Sequence, residues 1–122
     1  MVIENSDNII QDLSFSFAVR IVKFYKHLTE SKKAYVLSKQ ILRSGTSIGA
    51  NVKESIHAQS TADFINKLNI ALKEADETEY WLELLHASDI INDSEFNSLS
   101  GDAKQIIGTL VKIIKKTKES AQ

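Results

Sequence analysis

The chain contains no proline and only four glycines, and this scarcity limits its possible folds more than any motif does. Proline breaks helices and glycine marks turns, so a chain poor in both suits long helices joined by short links. A β-sandwich of this size would need far more turn residues. Apolar residues also recur at helical spacing, in four blocks. The first runs Ile10, Leu13, Phe17, Ile21, Phe24, Leu28, and the second Ala34, Leu37, Ile41, Ser44, Ile48, Asn51, Ser55, Ala58. The third runs Phe64, Leu68, Ala71, Ala75, Thr78, Leu82, Leu85, and the fourth Phe96, Leu99, Ala103, Ile106, Leu110, Ile113, Thr117. Each keeps a near-heptad rhythm, the geometry of helices crossing at about 20°. Ser60-Thr61-Ala62-Asp63 and Asn92-Asp93-Ser94-Glu95 resemble capping boxes. The spacing therefore predicts an all-α, antiparallel, up-and-down four-helix bundle. It forms a single domain over 1–122, with helices at about 8–29, 33–58, 61–88 and 93–118.

The 122 residues fit one domain with its own core. With no cysteine there is no disulfide framework, thiolate zinc site or thiol nucleophile. Met1 to Asn8 is polar and acidic, unlike a secretory signal, and no apolar run approaches the roughly 18 residues of a membrane span. The expected setting is cytoplasmic, with no membrane contact. Net charge is −1, but its distribution is uneven. Ser31 to Gln59 carries five basic and one acidic residue (+4), Ser60 to Ile91 two and seven (−5), and Gly101 to Gln122 five and two (+3). This alternation favours pairing between adjacent helices or between subunits.

Extra apolar rows lie beside the main stripes. Helix one adds Phe15, Val19, Val22 and Tyr25, helix three Ile70, Trp81 and Leu84, and helix four Ile107, Val111 and Ile114. A monomeric bundle leaves its outer faces wet, so these rows predict self-association. In helix two, Gly45 and Gly49 lie four apart on one face, where another backbone can approach. Ala71, Ala75 and Thr78 are expected opposite them, and Trp81 joins these glycines as a close-packing or oligomer contact. An anion site at this Gly/Ser/Thr-rich stretch would need a loop or helix start, whereas it falls in a helix middle. A buried polar layer is expected from Ser47, Asn51 and Glu54 against Lys73, Glu74 and Glu77.

No nucleophile–base pair is recognisable, so no catalytic residue is assigned. Glu54-x-x-His57 and Glu83-x-x-His86 match the Glu-x-x-His signature of carboxylate-bridged di-iron bundles. In antiparallel helices two and three, however, His86 falls about 37 Å from the turn near His57, at 1.5 Å per residue. No metal and no cofactor is expected. Lys112, Lys115, Lys116 and Lys118 make the end of helix four basic. That suits the helix dipole and also offers contacts to a phosphate backbone.

Two blocks carry a resemblance: Val36-Leu37-Ser38-Lys39-Gln40-Ile41-Leu42-Arg43-Ser44-Gly45-Thr46-Ser47-Ile48-Gly49-Ala50-Asn51, and the stretch from Asp63-Phe64 through Leu85. They resemble the 23S rRNA intervening-sequence proteins, also called the four-helix bundle protein family, over about Phe17 to Lys118. The resemblance implies a small cytoplasmic bacterial protein assembled as a ring, a homopentamer. The chain is also similar to the accessory variability determinants of diversity-generating retroelements, whose pentamers bind nucleic acid and a reverse transcriptase. Those relatives are more basic, and some carry a proline where this chain has Thr29 to Lys33. The family has no established catalytic residues, so none are carried over. The expectation is a non-enzymatic oligomer that contacts RNA or another nucleic acid through Arg43, Lys112, Lys115 and Lys116. The alternative is a scaffold that binds a protein partner through its apolar rows.

Overall fold

The computed structural model describes residues 5–121. It contains α1 (Asn5–Glu30), α2 (Tyr35–Ile56), α3 (Thr61–Ala87) and α4 (Asp93–Ser120). Each helix packs on its sequence neighbour, and α1 closes the bundle against α4. Cross-helix pairs give the antiparallel sense: Ser44 meets Thr78 and Glu54 meets Lys67. No described helix is long and apolar enough to cross a membrane.

The ends are set by local chemistry. The Ser60 hydroxyl accepts from the Asp63 amide at 3.0 Å, while the Asp63 carboxylate accepts from Gln59 N at 3.3 Å. Asn92 and Glu95 complete a reciprocal capping box, with Glu95 N donating to Asn92 Oδ1 at 2.8 Å and Asn92 N donating to Glu95 Oε1 at 3.1 Å. α2 has no side-chain cap and starts at Tyr35, two residues later than the expected bound of about 33. Lys33 takes a left-handed conformation (φ 54°), and the Ala34 amide donates back to the Leu28 carbonyl at 2.9 Å. The chain is still reversing direction there, so the helix cannot begin earlier.

The core takes one face from each helix. Ile10, Phe17, Ile21 and Leu28 of α1 meet Ile41, Ile48 and Val52 of α2, with Leu68, Leu82 and Leu85 of α3 and Ile106 and Leu110 of α4. On α2 the buried row is turned slightly from the expected one. Ser38, Gly45 and Val52 lie inside, whereas Leu37 and Asn51 are half-buried. The extra apolar rows also sort unequally. Ile114 is buried, and Ile107 and Trp81 pack against the core, while Phe15, Val19 and Val22 remain exposed.

Candidate functional site

The glycines of α2 face α1, not α3. A Cβ built on Gly45 would lie 2.8 Å from Ile21 Cγ1, and one on Gly49 would lie 3.2 Å from the Ser14 carbonyl oxygen. The expectation that Ala71, Ala75 and Thr78 face these glycines is thereby corrected. α2 is flanked by two helices, and its glycines turn toward α1. Beyond Gly49 the seam between α1 and α2 opens into a groove of about 530 Å³ whose lining includes Phe15, Thr46, Gly49 and Lys53.

The expected buried polar layer of Ser47, Asn51, Glu54, Lys73, Glu74 and Glu77 does not form. Glu54 and Lys73 are exposed, and the other four are half-buried. Asn51 Nδ2 donates to the Ser47 carbonyl at 2.8 Å, and the Ser47 hydroxyl donates to the Arg43 carbonyl at 2.6 Å. Both side chains are thus satisfied within α2 itself and need no partner on α3. Glu54 instead forms an exposed pair with Lys67 at 3.4 Å, worth at most about 1 kcal/mol.

The polar contact that does lie between the helices is Ser44–Thr78. Both residues are fully buried and their hydroxyls are hydrogen-bonded at 2.9 Å. The Thr78 hydroxyl also lies 2.8 Å from the Glu74 carbonyl oxygen, which it can reach as donor. Ser44 and Thr78 both stand on the apolar stripes of the sequence, which was the available signal. A hydroxyl can be buried cheaply because its own helix supplies an acceptor.

Arg43 reaches across to α3, forking between Glu74 (3.1 Å) and Glu77. The Glu77 hydrogen bond, followed by the charges of both carboxylates, raises its pKa above the ordinary arginine value despite some desolvation. Its charge is therefore engaged by the protein, at a side chain that remains half exposed. Arg43 also sits in the middle of α2, diagonal to α4, so the fold does not bring it together with the lysines.

Lys112, Lys115, Lys116 and Lys118 are all exposed on the last turns of α4. Their spacing places Lys112, Lys115 and Lys116 on one side of the helix. Lys53, also exposed, lies near the C-terminus of α2 at the same end of the bundle.

The histidines occupy opposite ends. His57 caps the C-terminus of α2, while His86 stacks on Phe96 at 4.4 Å and lies 2.6 Å from Asp93. Among the described residues, no three His, Cys, Asp or Glu side chains are grouped to hold a metal. Trp81 touches Tyr80 edge to face at 5.2 Å, and its shielded Nε1 makes no hydrogen bond. Sequence reasoning missed Glu79, half-buried between α3 and α4. Burial raises its carboxyl pKa above the usual range, partly offset by the charge of Lys104 and the hydrogen bond from Ser100.

Comparison with known proteins places these features in context. The family model described as 23S rRNA-intervening sequence protein matches residues 6–112. A solved structure, a protein of unknown function from the S23 ribosomal protein family of Bacteroides thetaiotaomicron, is 58% identical with a TM-score of 0.89. That match covers 90% of this chain and 98% of the other. No curated protein matches the chain.

Proposed function

The chain belongs to the 23S rRNA-intervening sequence protein family, and from that premise we propose that it is a non-enzymatic, cytoplasmic RNA-binding bundle. The lysine end of α4 carries this reading. Lys112, Lys115, Lys116 and Lys118 are exposed on successive turns of one helix end, a spacing suited to a run of backbone phosphates. No element of the proposal reads base edges, so the contact is one of charge and shape. A single copy offers few contacts. Copies joined in a ring, a homopentamer by the family resemblance, repeat the patch and raise its effective affinity.

Titration of salt against binding of a labelled single-stranded RNA tests this reading. With about three lysine–phosphate contacts per copy, log affinity falls against log salt with a slope of roughly −2 for each copy engaged. Replacing Lys112, Lys115, Lys116 and Lys118 with alanine flattens that slope. Absent or salt-independent binding removes the proposal. Mass measured in solution with and without nuclease tests the ring, and a 13.7 kDa species at every loading would eliminate it. The exposed apolar residues of α1 favour a second reading, a scaffold for protein partners. Partners that survive nuclease treatment distinguish it from RNA binding.

A further inference from the structure

The link between α1 and α2 opens the longest stretch of this chain without an acidic residue, from Ser31 to Lys53. Lys32, Lys33 and Lys39 crowd the start of that stretch, and all three are exposed. Among the described residues, none of them takes part in an ion pair. Glu30 ends α1 just before them, so Glu30 to Lys39 carries three lysines against one glutamate, a net +2. Among these lysines stand Tyr35 and Val36, 55% and 73% exposed. The Tyr35 ring stacks on no other ring among the described residues. Lys39 follows it four residues later, on the same face of α2. The link is tied down, because the amides of Ser31 and Ala34 donate to the His27 and Leu28 carbonyls of α1, both at 2.9 Å. An open aromatic face is thus held among three uncommitted positive charges.

We propose that this patch is a seat for single-stranded RNA, in which Tyr35 stacks on an unpaired base while Lys32, Lys33 and Lys39 meet the flanking phosphates. The seat rests on the reading of the chain as an RNA binder and adds to it the form of RNA taken. Lysines alone do not tell a single strand from a duplex, because both present phosphates. An aromatic ring does, since a base offers its flat face only when it is splayed out of a helix. Every base has such a face, so the seat accepts any sequence. Tyr35 suits the task because a tyrosine side chain has two rotatable angles and loses little freedom when a base covers it. α2 and α4 run in the same direction, so the start of α2 and the lysine end of α4 lie at opposite ends of the bundle. The 22 residues of α2 place the two about 33 Å apart at 1.5 Å per residue. The stacking seat is therefore a second contact, separate from Lys112, Lys115 and Lys116.

Fluorescence anisotropy with three labelled probes tests the seat. They are an oligouridylate of about twelve nucleotides, an abasic strand of the same length and charge, and an RNA duplex. The parent chain is expected to favour the oligouridylate over the abasic strand, by about 5- to 100-fold for one stacked base. Tyr35→Ala is expected to abolish that preference and Tyr35→Phe to keep it. Neither should alter affinity for the abasic strand or the duplex, nor the helical circular dichroism. Replacing Lys32, Lys33 and Lys39 with glutamine is expected to weaken all three probes and make binding less salt-dependent. A parent chain that binds oligouridylate and abasic strand alike overturns the seat and leaves the α4 contact standing. So does a preference that survives Tyr35→Ala, or a Tyr35→Ala loss that is as large for the duplex. A chain that binds none of the probes overturns the seat and the RNA-binding reading together.

Discussion

Two pairs of glycines sit inside helices of this protein, in contrasting surroundings. At Gly45 and Gly49 of α2, an added Cβ would meet Ile21 at 2.8 Å and the Ser14 carbonyl oxygen at 3.2 Å. At Gly101 and Gly108 of α4, nothing lies within 4 Å of the same atom. All four positions sacrifice about 1 kcal/mol of helix propensity relative to alanine. On α2 that sacrifice is offset because α1 settles into the space and its core side chains pack against α2. On α4 nothing within one bundle explains it. A mid-helix glycine therefore has no fixed meaning until its neighbour is known.

Substitution can break this contrast or sharpen it. The largest effect is expected at Gly45→Ala. Ile21 is fully buried and its contacting atoms lie at the branch of a stiff side chain, so they cannot swing away. Overpacking of this kind costs about 1–3 kcal/mol, and melting followed by circular dichroism should show a clear fall in Tm. Gly101→Ala and Gly108→Ala should each move the other way, by up to about 1 kcal/mol, or roughly 3–5 °C in a domain of this size. Equal losses at all four glycines would refute the comparison.

Gly49→Ala is the intermediate case. Its neighbour is a backbone oxygen, which gives little, but the overlap is milder and the propensity gain partly offsets it. A net loss below about 1 kcal/mol is expected, measurable by urea denaturation. Arg43→Gln should matter less still, by about a few tenths of a kcal/mol, since the ion pairs lie at a half-exposed rim. Its effect should shrink further in high salt.

The smallest expected change is at Glu79→Gln. Burial raises the Glu79 pKa in the folded state, so the native protein holds that proton more tightly than the unfolded chain does. Stability from this group is complete below the ordinary carboxylate range and is lost as pH rises through the raised value. The glutamine variant should therefore melt slightly higher than the parent at pH 7, with the gap closing near pH 3. A gap that widens on acidification would contradict the burial argument.

Much of the fold was legible because it depends on periodicity. The stripes of α1, α3 and α4 mark faces that the structure buries at Phe17, Ile21, Leu68, Ala75, Ala103 and Leu110. Ser60 and Asn92 cap the helices they precede, because a cap is decided within four residues. On α2 the reading turned slightly off the true face. Gly45 contributes no side chain to a hydrophobic pattern, yet α1 comes close there and draws Ser38 and Val52 inward. The polar layer failed for a related reason. Ser47 and Asn51 could bond across the bundle or to their own helix, and a list of residues does not rank those choices.

The sequence alone determined four helices, their order and their antiparallel sense, since spacing, missing proline and short links are all local properties. Only the tertiary structure decided which helix the α2 glycines receive. It also decided that Arg43 is engaged by Glu74 and Glu77, and that Phe15, Val19 and Val22 of α1 stay exposed while Ile114 of α4 is buried. These outcomes depend on contacts between segments far apart in the chain, which no local pattern ranks. Periodicity shows that a face must be covered, and packing selects what covers it.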